Sequence, residues 1–301
     1  TAGFSEGSHD ERAHAGAIAR HLGTDHTELL VTPGDALAMV PRLPEMFDEP
    51  FADASQIPTA LLSALTRKHV TVTLTGDGGD EAFAGYQRYL WAIDSWRRIE
   101  SVPQRLRRAA AKAAGAASLL PIPLLADRAG KLREALECDS QDALYRRLMS
   151  QWSDPAALVS SGREPPALLD DAALERALPD RLLRYQYIDA ATYLPDDILV
   201  KLDRAAMAAS LEGRVPLLDY RVVERAWSLP IQARLGGGKG KAMLRRVLAR
   251  YVPPALFDRP KMGFGVPIGR WLRGPLRAWA EDLLQPQRMA ADGLIDPKPV
   301  Q

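Results

Sequence analysis

Over the first ninety residues, apolar positions switch between a strand-like and a helix-like period. Thr1-Ala2-Gly3-Phe4 reads as the tail of a buried strand, and Ser8-His9-Asp10-Glu11 has the Ser-x-x-Glu spacing of a capping box. That box predicts a helix running to about Leu22, which Gly23 stops. His26 to Val31 is strand-like, and Thr32-Pro33-Gly34-Asp35 supplies an N-cap, a first-turn proline and an acidic residue for the next helix. A further helix is predicted from Ile57 to about His69 with Pro58 in its first turn, followed by the β-branched strand Val70 to Leu74. Helices between strands imply parallel crossovers, so the predicted fold class is α/β: a partial parallel sheet followed by a mainly helical half.

After Trp91 the strand signal fades. Arg97 to Lys112 and Asp142 to Met149 are helical and rich in arginine, which reads as a solvated face. Gly115 to Gly130 holds Pro121 and Pro123 in an apolar setting, and Ser160 to Pro166 reads as a surface loop or linker. Helices resume near Arg181, break at Leu235 to Gly240 and restart at Lys241, and the Pro-containing end from Pro297 to Gln301 is expected to fray.

Charge and cysteine content narrow the function classes. Lys plus Arg total 39 against 38 for Asp plus Glu, so no global field draws the chain to nucleic acid or an anionic membrane. The lone Cys138 cannot form an internal disulfide, and no apolar run reaches the length of a membrane span. A cytoplasmic protein with neither nucleic-acid nor membrane partners is the expectation. The histidines lack the His-Glu-x-x-His spacing of a zinc site.

The most informative stretch is Thr73 to Tyr86, where a strand runs into Gly76, Gly78 and Gly79 interleaved with Asp77, Asp80 and Glu81. Glycines admit positive φ and close approach, and free amides at a helix start favour an anion. The carboxylates would repel a phosphate unless a hard cation such as Mg²⁺ lay between, so the turn suggests metal-bound pyrophosphate. The same residues could serve only turn geometry and capping. EF-hand spacing is absent.

This run resembles the Ser-Gly-(Glu/Asp)-Gly-x-Asp-Glu-x-Phe-Gly-Gly-Tyr segment of asparagine synthetases, with Thr75 in place of the Ser and Ala84 in place of a late glycine. Further stretches agree in order: Asp48-Glu49-Pro50-Phe51 with Asp53, Ser55 and Pro58; Lys201-Leu202-Asp203-Arg204 with Leu211 to Pro216; Gly238 to Arg245; and Lys261 to Pro267. The resemblance spans nearly the whole chain. It implies a sheet of the adenine-nucleotide α-hydrolase type, with residues 1–92 as the nucleotide-binding part and 93–301 as the helical part of one synthetase domain.

In that family, ATP and aspartate form β-aspartyl-AMP and pyrophosphate, and ammonia then attacks the acyl-adenylate. The resemblance assigns nucleotide contacts to Ala2 (through its backbone), Thr75, Gly76, Gly78 and Gly79. It gives Asp77 the acidic position tied to the intermediate and to ammonia, and makes Asp80 and Glu81 partners of Mg²⁺-pyrophosphate. Lys241 is the expected ammonium over the α-phosphoryl group, with Lys239 as the neighbour most easily confused with it. Arg204, Arg214 and Asp203 are expected to order helices through ion pairs, whereas Asp48, Glu49 and Asp53 could line the substrate pocket or serve as caps. Cys138 is not expected to be a glutaminase nucleophile.

Two family hallmarks do not occur in this sequence: a glutaminase domain with its terminal cysteine, and the Ser-Gly-Gly-x-Asp-Ser pyrophosphate loop. The expectation is that the sequence starts inside a longer polypeptide, that the sheet has a gap between the strands at Thr1 to Phe4 and Val70 to Thr75, and that the chain alone makes no asparagine. A homodimer is compatible with the resemblance. The rival readings are a β-lactam synthetase-like or other amide-forming enzyme on the same scaffold, and a non-catalytic binding module.

Overall fold

The computed structural model describes residues 1–5, 10–118, 123–152, 154–159, 162–258 and 266–300. Strand β1 (Ala2–Phe4) is followed by α1 (Arg12–Leu22), β2 (Leu29–Val31), α2 (Pro33–Met39), α3 (Leu43–Phe47), α4 (Gln56–Arg67) and β3 (Val72–Leu74). Ser8 and His9 of the expected capping box lie outside the described residues. Where α1 begins, the Arg12 amide donates to the Asp10 carboxylate at 3.1 Å, and Gly23 ends the helix in the left-handed conformation. At α2 the predicted cap forms in full: the Asp35 amide donates to the Thr32 hydroxyl, and the Thr32 amide to the Asp35 carboxylate.

The strands form two separate parallel pairs. β1 runs beside β2 with Ala2 opposite Leu29 and Phe4 opposite Val31. β3 pairs instead with β4 (Glu212–Arg214), setting Val72 opposite Glu212 and Leu74 opposite Arg214. The strand β4, from the Leu-Glu-Gly-Arg stretch of the helical half, carries no β-branched signal and is not legible from local pattern. Its pairing continues in the bond from the Thr75 amide to the Arg214 carbonyl, 2.9 Å, which leads straight into the glycine turn.

Between these strands and beyond lie α5 (Gly79–Ala82), α6 (Gln87–Glu100), α7 (Gln104–Ser118), α8 (Pro123–Glu137), α9 (Gln141–Met149), α10 (Pro155–Leu158), α11 (Ala172–Ala177), α12 (Arg181–Ala191) and α13 (Val200–Met207). A π-helical turn, Leu194–Leu199, joins α12 to α13. After β4 come α14 (Tyr220–Ser228), α15 (Ile231–Arg234), α16 (Ala242–Leu248), α17 (Pro254–Phe257), α18 (Ile268–Leu272), α19 (Arg277–Leu283) and α20 (Pro286–Asp292). The chain is thus α/β and mostly helical, with small parallel sheets. No helix among the described residues is long and apolar enough to cross a membrane.

Two of the four buried clusters among the described residues set the frame. Phe4, Val31, Met39, Phe47, Ile57, Ala60, Ala205 and Trp271 form one, with Trp271 meeting Phe4 edge to face at 5.9 Å. It packs α4 and α13 against the β1–β2 pair. Tyr89, Ala92, Tyr145, Leu182 and Tyr185 form the other, joining α6, α9 and α12 beneath the glycine turn.

Candidate active site

The turn after β3 is built by close packing. Gly78 has φ +75°, and a Cβ there would stand 2.2 Å from Leu218 Cδ2; one on Gly79 would stand 2.7 Å from Leu217 Cδ1. Those two glycines therefore let the Leu217–Leu218 turn press onto the start of α5. Gly76 is different: nothing among the described residues lies within 4 Å of where its Cβ would be, so its backbone faces open space there. The Thr75 hydroxyl beside it is buried without a hydrogen-bond partner among the described residues.

Lys241 arrives from the distant glycine loop. Its backbone is left-handed, φ 58°, and its amide donates to the Phe83 carbonyl at 3.0 Å. A Cβ on Gly240 would lie 2.2 Å from the Ala84 carbonyl oxygen, and one on Gly85 would lie 2.5 Å from Lys241 Cε. Two glycines thus interlock the loop with the turn. The result is an ion pair, Lys241 Nζ to Asp80 Oδ2 at 3.0 Å, both side chains partly open to solvent. Lys239 points elsewhere, pairing with Asp258 at 2.8 Å, and Asp258 also binds Arg245.

The remaining acids of the turn differ in setting. Asp77 is half-buried and makes no hydrogen bond among the described residues. Glu81 is 1% exposed and accepts from the Tyr86 hydroxyl at 2.7 Å; burial raises its pKa. Arg88 stacks on the Tyr86 ring, 3.6 Å from its centroid, and 4.8 Å from that of Tyr193. Burial opposes charge on Arg88, but the Asp189 carboxylate 2.5 Å away outweighs it and raises the pKa. Ala2 stands on the other sheet, so pairing does not bring it to the turn. Among the described residues no group of three or more His, Cys, Asp or Glu is placed to hold a metal by itself.

A second charged group borders the site at the π-helical turn. Lys201 Nζ lies 2.6 Å from Asp53 Oδ2. Burial works against ionisation of Asp53, yet Lys201 and the Ser55 amide outweigh it and hold its pKa low. Asp197 is pushed from 3.8 up to about 6 by burial and by the Asp53 charge. The folded protein therefore keeps this proton over a window in which the unfolded chain has lost it, and stability falls as pH rises through that window. Asp197→Asn removes the effect. Its stability relative to the original chain, read by urea unfolding, should increase between about pH 4 and about pH 7, and a constant difference would contradict the assignment.

Several expected ion pairs are surface features. Arg204 meets Asp48 at 2.7 Å and Arg214 meets Glu212 at 2.7 Å, all substantially exposed. Cys138 donates to the Glu134 carbonyl, and burial raises its pKa. Lys261 to Gly265 of the expected motif lie outside the described residues. Residues that sequence reasoning did not single out for the site include Arg88, Gln186, Asp189 and Arg234, which stand directly behind the turn.

The asparagine synthase family model matches residues 1–301. The chain belongs to that family. It is 36% identical over 286 residues to a putative glutamine-hydrolyzing asparagine synthetase of Mycobacterium tuberculosis, covering 93% of this chain and 43% of the relative. Asparagine synthetase [glutamine-hydrolyzing] 1 of Bacillus subtilis is 29% identical over 287 residues, covering 94% and 44% respectively. Amidase chyE of Penicillium rubens is 24% identical over 324 residues, covering 95% and 46%. The chain thus spans less than half the length of these relatives.

Proposed function

We propose that the polypeptide carrying this chain amidates aspartate to asparagine with ATP through a β-aspartyl-AMP intermediate, using ammonia from glutamine hydrolysed in a domain outside this chain. The observation that supports it most is the meeting of Lys241 and Asp80 above a glycine turn at the end of a parallel strand, the end of such sheets that favours ligands. On this reading the two parallel pairs belong to one nucleotide-binding sheet of the adenine-nucleotide α-hydrolase type.

Thr75 and Gly76 take the nucleotide: among the described residues the first has a buried hydroxyl without a partner and the second an open backbone. Gly78 and Gly79 shape the turn, and the backbone of Ala2 takes adenine. The Lys241 ammonium stabilises charge gathering on the α-phosphoryl group as the aspartate carboxylate attacks and pyrophosphate leaves. Asp80 is the carboxylate that would hold Mg²⁺. With no preformed cage among the described residues, the ion would depend on phosphate oxygens for the rest of its shell. Bound there, Mg²⁺ would neutralise the departing pyrophosphate. Glu81, assigned to the same ion by resemblance, is buried against Tyr86, and its role here is to hold that ring under Arg88.

Asp77 is left to receive a proton from the attacking ammonia, since its carboxylate is half-buried and has no protein partner among the described residues. Asp77→Ala in the full-length polypeptide should therefore cut asparagine formation about 100-fold, the scale of one positioned acid or base, while the melting temperature stays near that of the parent. Normal turnover per folded molecule combined with a large loss of thermal stability would make Asp77 a turn-former only. Release of pyrophosphate with another carboxylic acid but not with aspartate would move the assignment to a different amide-forming reaction.

A further inference from the structure

Behind the turn, one buried side chain bonds to α5, which carries Asp80, and to the residue that ends α15, from which the chain runs on to Lys241. Gln186, on α12, has no solvent exposure, and its amide nitrogen donates to the carbonyls of Glu81 and Ala82, the latter at 2.9 Å. These are the last carbonyls of α5, which the helix cannot satisfy itself. The Gln186 oxygen in turn accepts from Arg234 Nη1 at 2.8 Å. Arg234 ends α15, and the residues after it are the glycine loop that delivers Lys241.

Arg234 is an odd choice for mere packing. It is 2% exposed, and no carboxylate among the described residues lies within ion-pairing distance. Its charge is partly relieved by the Trp227 ring, 5.6 Å from the guanidinium carbon. Burial lowers its pKa, with only the more distant Asp180 charge working the other way. A buried cation that meets a neutral amide is unfavourable against an apolar replacement unless its fixed geometry is used.

We propose that Gln186 and Arg234 are positioning residues, a buried clamp that fixes the separation between α5, which carries Asp80, and the loop that carries Lys241. Its consequence for rate rests on the proposed adenylation, whereas its consequence for Lys241 does not. Without the clamp, the lysine would keep its backbone bond to Phe83, the glycine interlock and the packing of Met243 and Leu244 against Ala82 and Phe83, and its ammonium would wander from Asp80. A displacement of about 1 Å at a reacting centre is enough to cost about 100-fold in rate.

Two substitutions separate positioning from packing. Gln186→Glu can form a full ion pair with Arg234 but loses the N–H donors that hold the Glu81 and Ala82 carbonyls. Arg234→Met fills the space with apolar atoms and frees the Gln186 oxygen. Lys241 acylation by an amine-directed reagent, resolved by mass spectrometry and normalised to exposed Lys68, reports the ion pair in the chain as it stands. Both variants should label Lys241 several-fold faster at unchanged Lys68 labelling. In the full-length polypeptide, aspartate-dependent pyrophosphate release should lose about 100-fold in kcat with little change in KM for ATP. Unchanged Lys241 labelling in either folded variant overturns the proposal, as does a rate that falls only with the folded fraction. A full-length parent that releases no pyrophosphate with aspartate overturns the adenylation reading, and the labelling result still decides the clamp.

Discussion

Replacing Lys241 with alanine in the full-length polypeptide should reduce aspartate-dependent adenylation by about 100- to 1000-fold, the scale of one lost charge-stabilising donor, about 3 kcal/mol. The lysine is held for that work in a costly way. Its φ of 58° is a conformation that side-chain-bearing residues seldom adopt, and Gly240 and Gly85 are packed too closely against its loop to carry a Cβ. Glutamine hydrolysis should survive, because the ammonium acts on phosphoryl charge and not on the amide donor. Asp80 would lose the Lys241 ammonium but remain near solvent, so the fold should tolerate the change. Single-turnover pyrophosphate release at the original rate would remove Lys241 from the mechanism.

The largest stability effect should come from Asp189→Ala. Asp189 is 1% exposed and accepts from Arg88 at 2.5 Å and from the Tyr89 and Tyr145 hydroxyls at 2.7 Å each. It ties α6 and α9 to α12, next to the stacked pair Tyr145 and Tyr185, whose centroids are 3.9 Å apart. Removing it leaves a mostly buried guanidinium and two tyrosine hydroxyls without their acceptor, which should cost about 3–5 kcal/mol. The loss would also free Arg88 from its place on Tyr86, so activity per folded molecule should fall too. Urea unfolding indistinguishable from the parent would show that water replaces the carboxylate fully.

The elements that place the turn were largely readable in the sequence, because their signals are local. Thr32 and Asp35 form the predicted cap, Gly23 ends α1 as a left-handed residue, and the strand signal before Thr75 leads into the glycine turn as expected. The arginine-rich segment at the start of the helical half contains strongly exposed side chains such as Arg97, in keeping with a solvated face.

What escaped the sequence depends on long-range partners. β4 exists because Glu212 to Arg214 meets β3, and nothing in Glu-Gly-Arg announces a strand. Arg184, Gln186, Asp189 and Arg234 are residue types typical of exposed helix surface, yet all are buried by long-range partners: Arg184 pairs with Asp142, Asp189 with Arg88, Tyr89 and Tyr145, and Gln186 with Arg234. The π-helical turn at Leu194 to Leu199, which brings Asp197 near Asp53, has no period of its own that a short window reveals. The split into two strand pairs is likewise a property of pairing and not of propensity.

In the proposed reaction an acceptor carboxylate is adenylated over Lys241 before ammonia arrives. Aspartate carrying heavy oxygen in its side-chain carboxylate, given to the full-length polypeptide with ATP and glutamine, tests it directly. Attack on the α-phosphoryl group predicts that one labelled oxygen leaves in AMP when asparagine forms. AMP without label, or label in inorganic phosphate beside ADP, would rule out an acyl-adenylate.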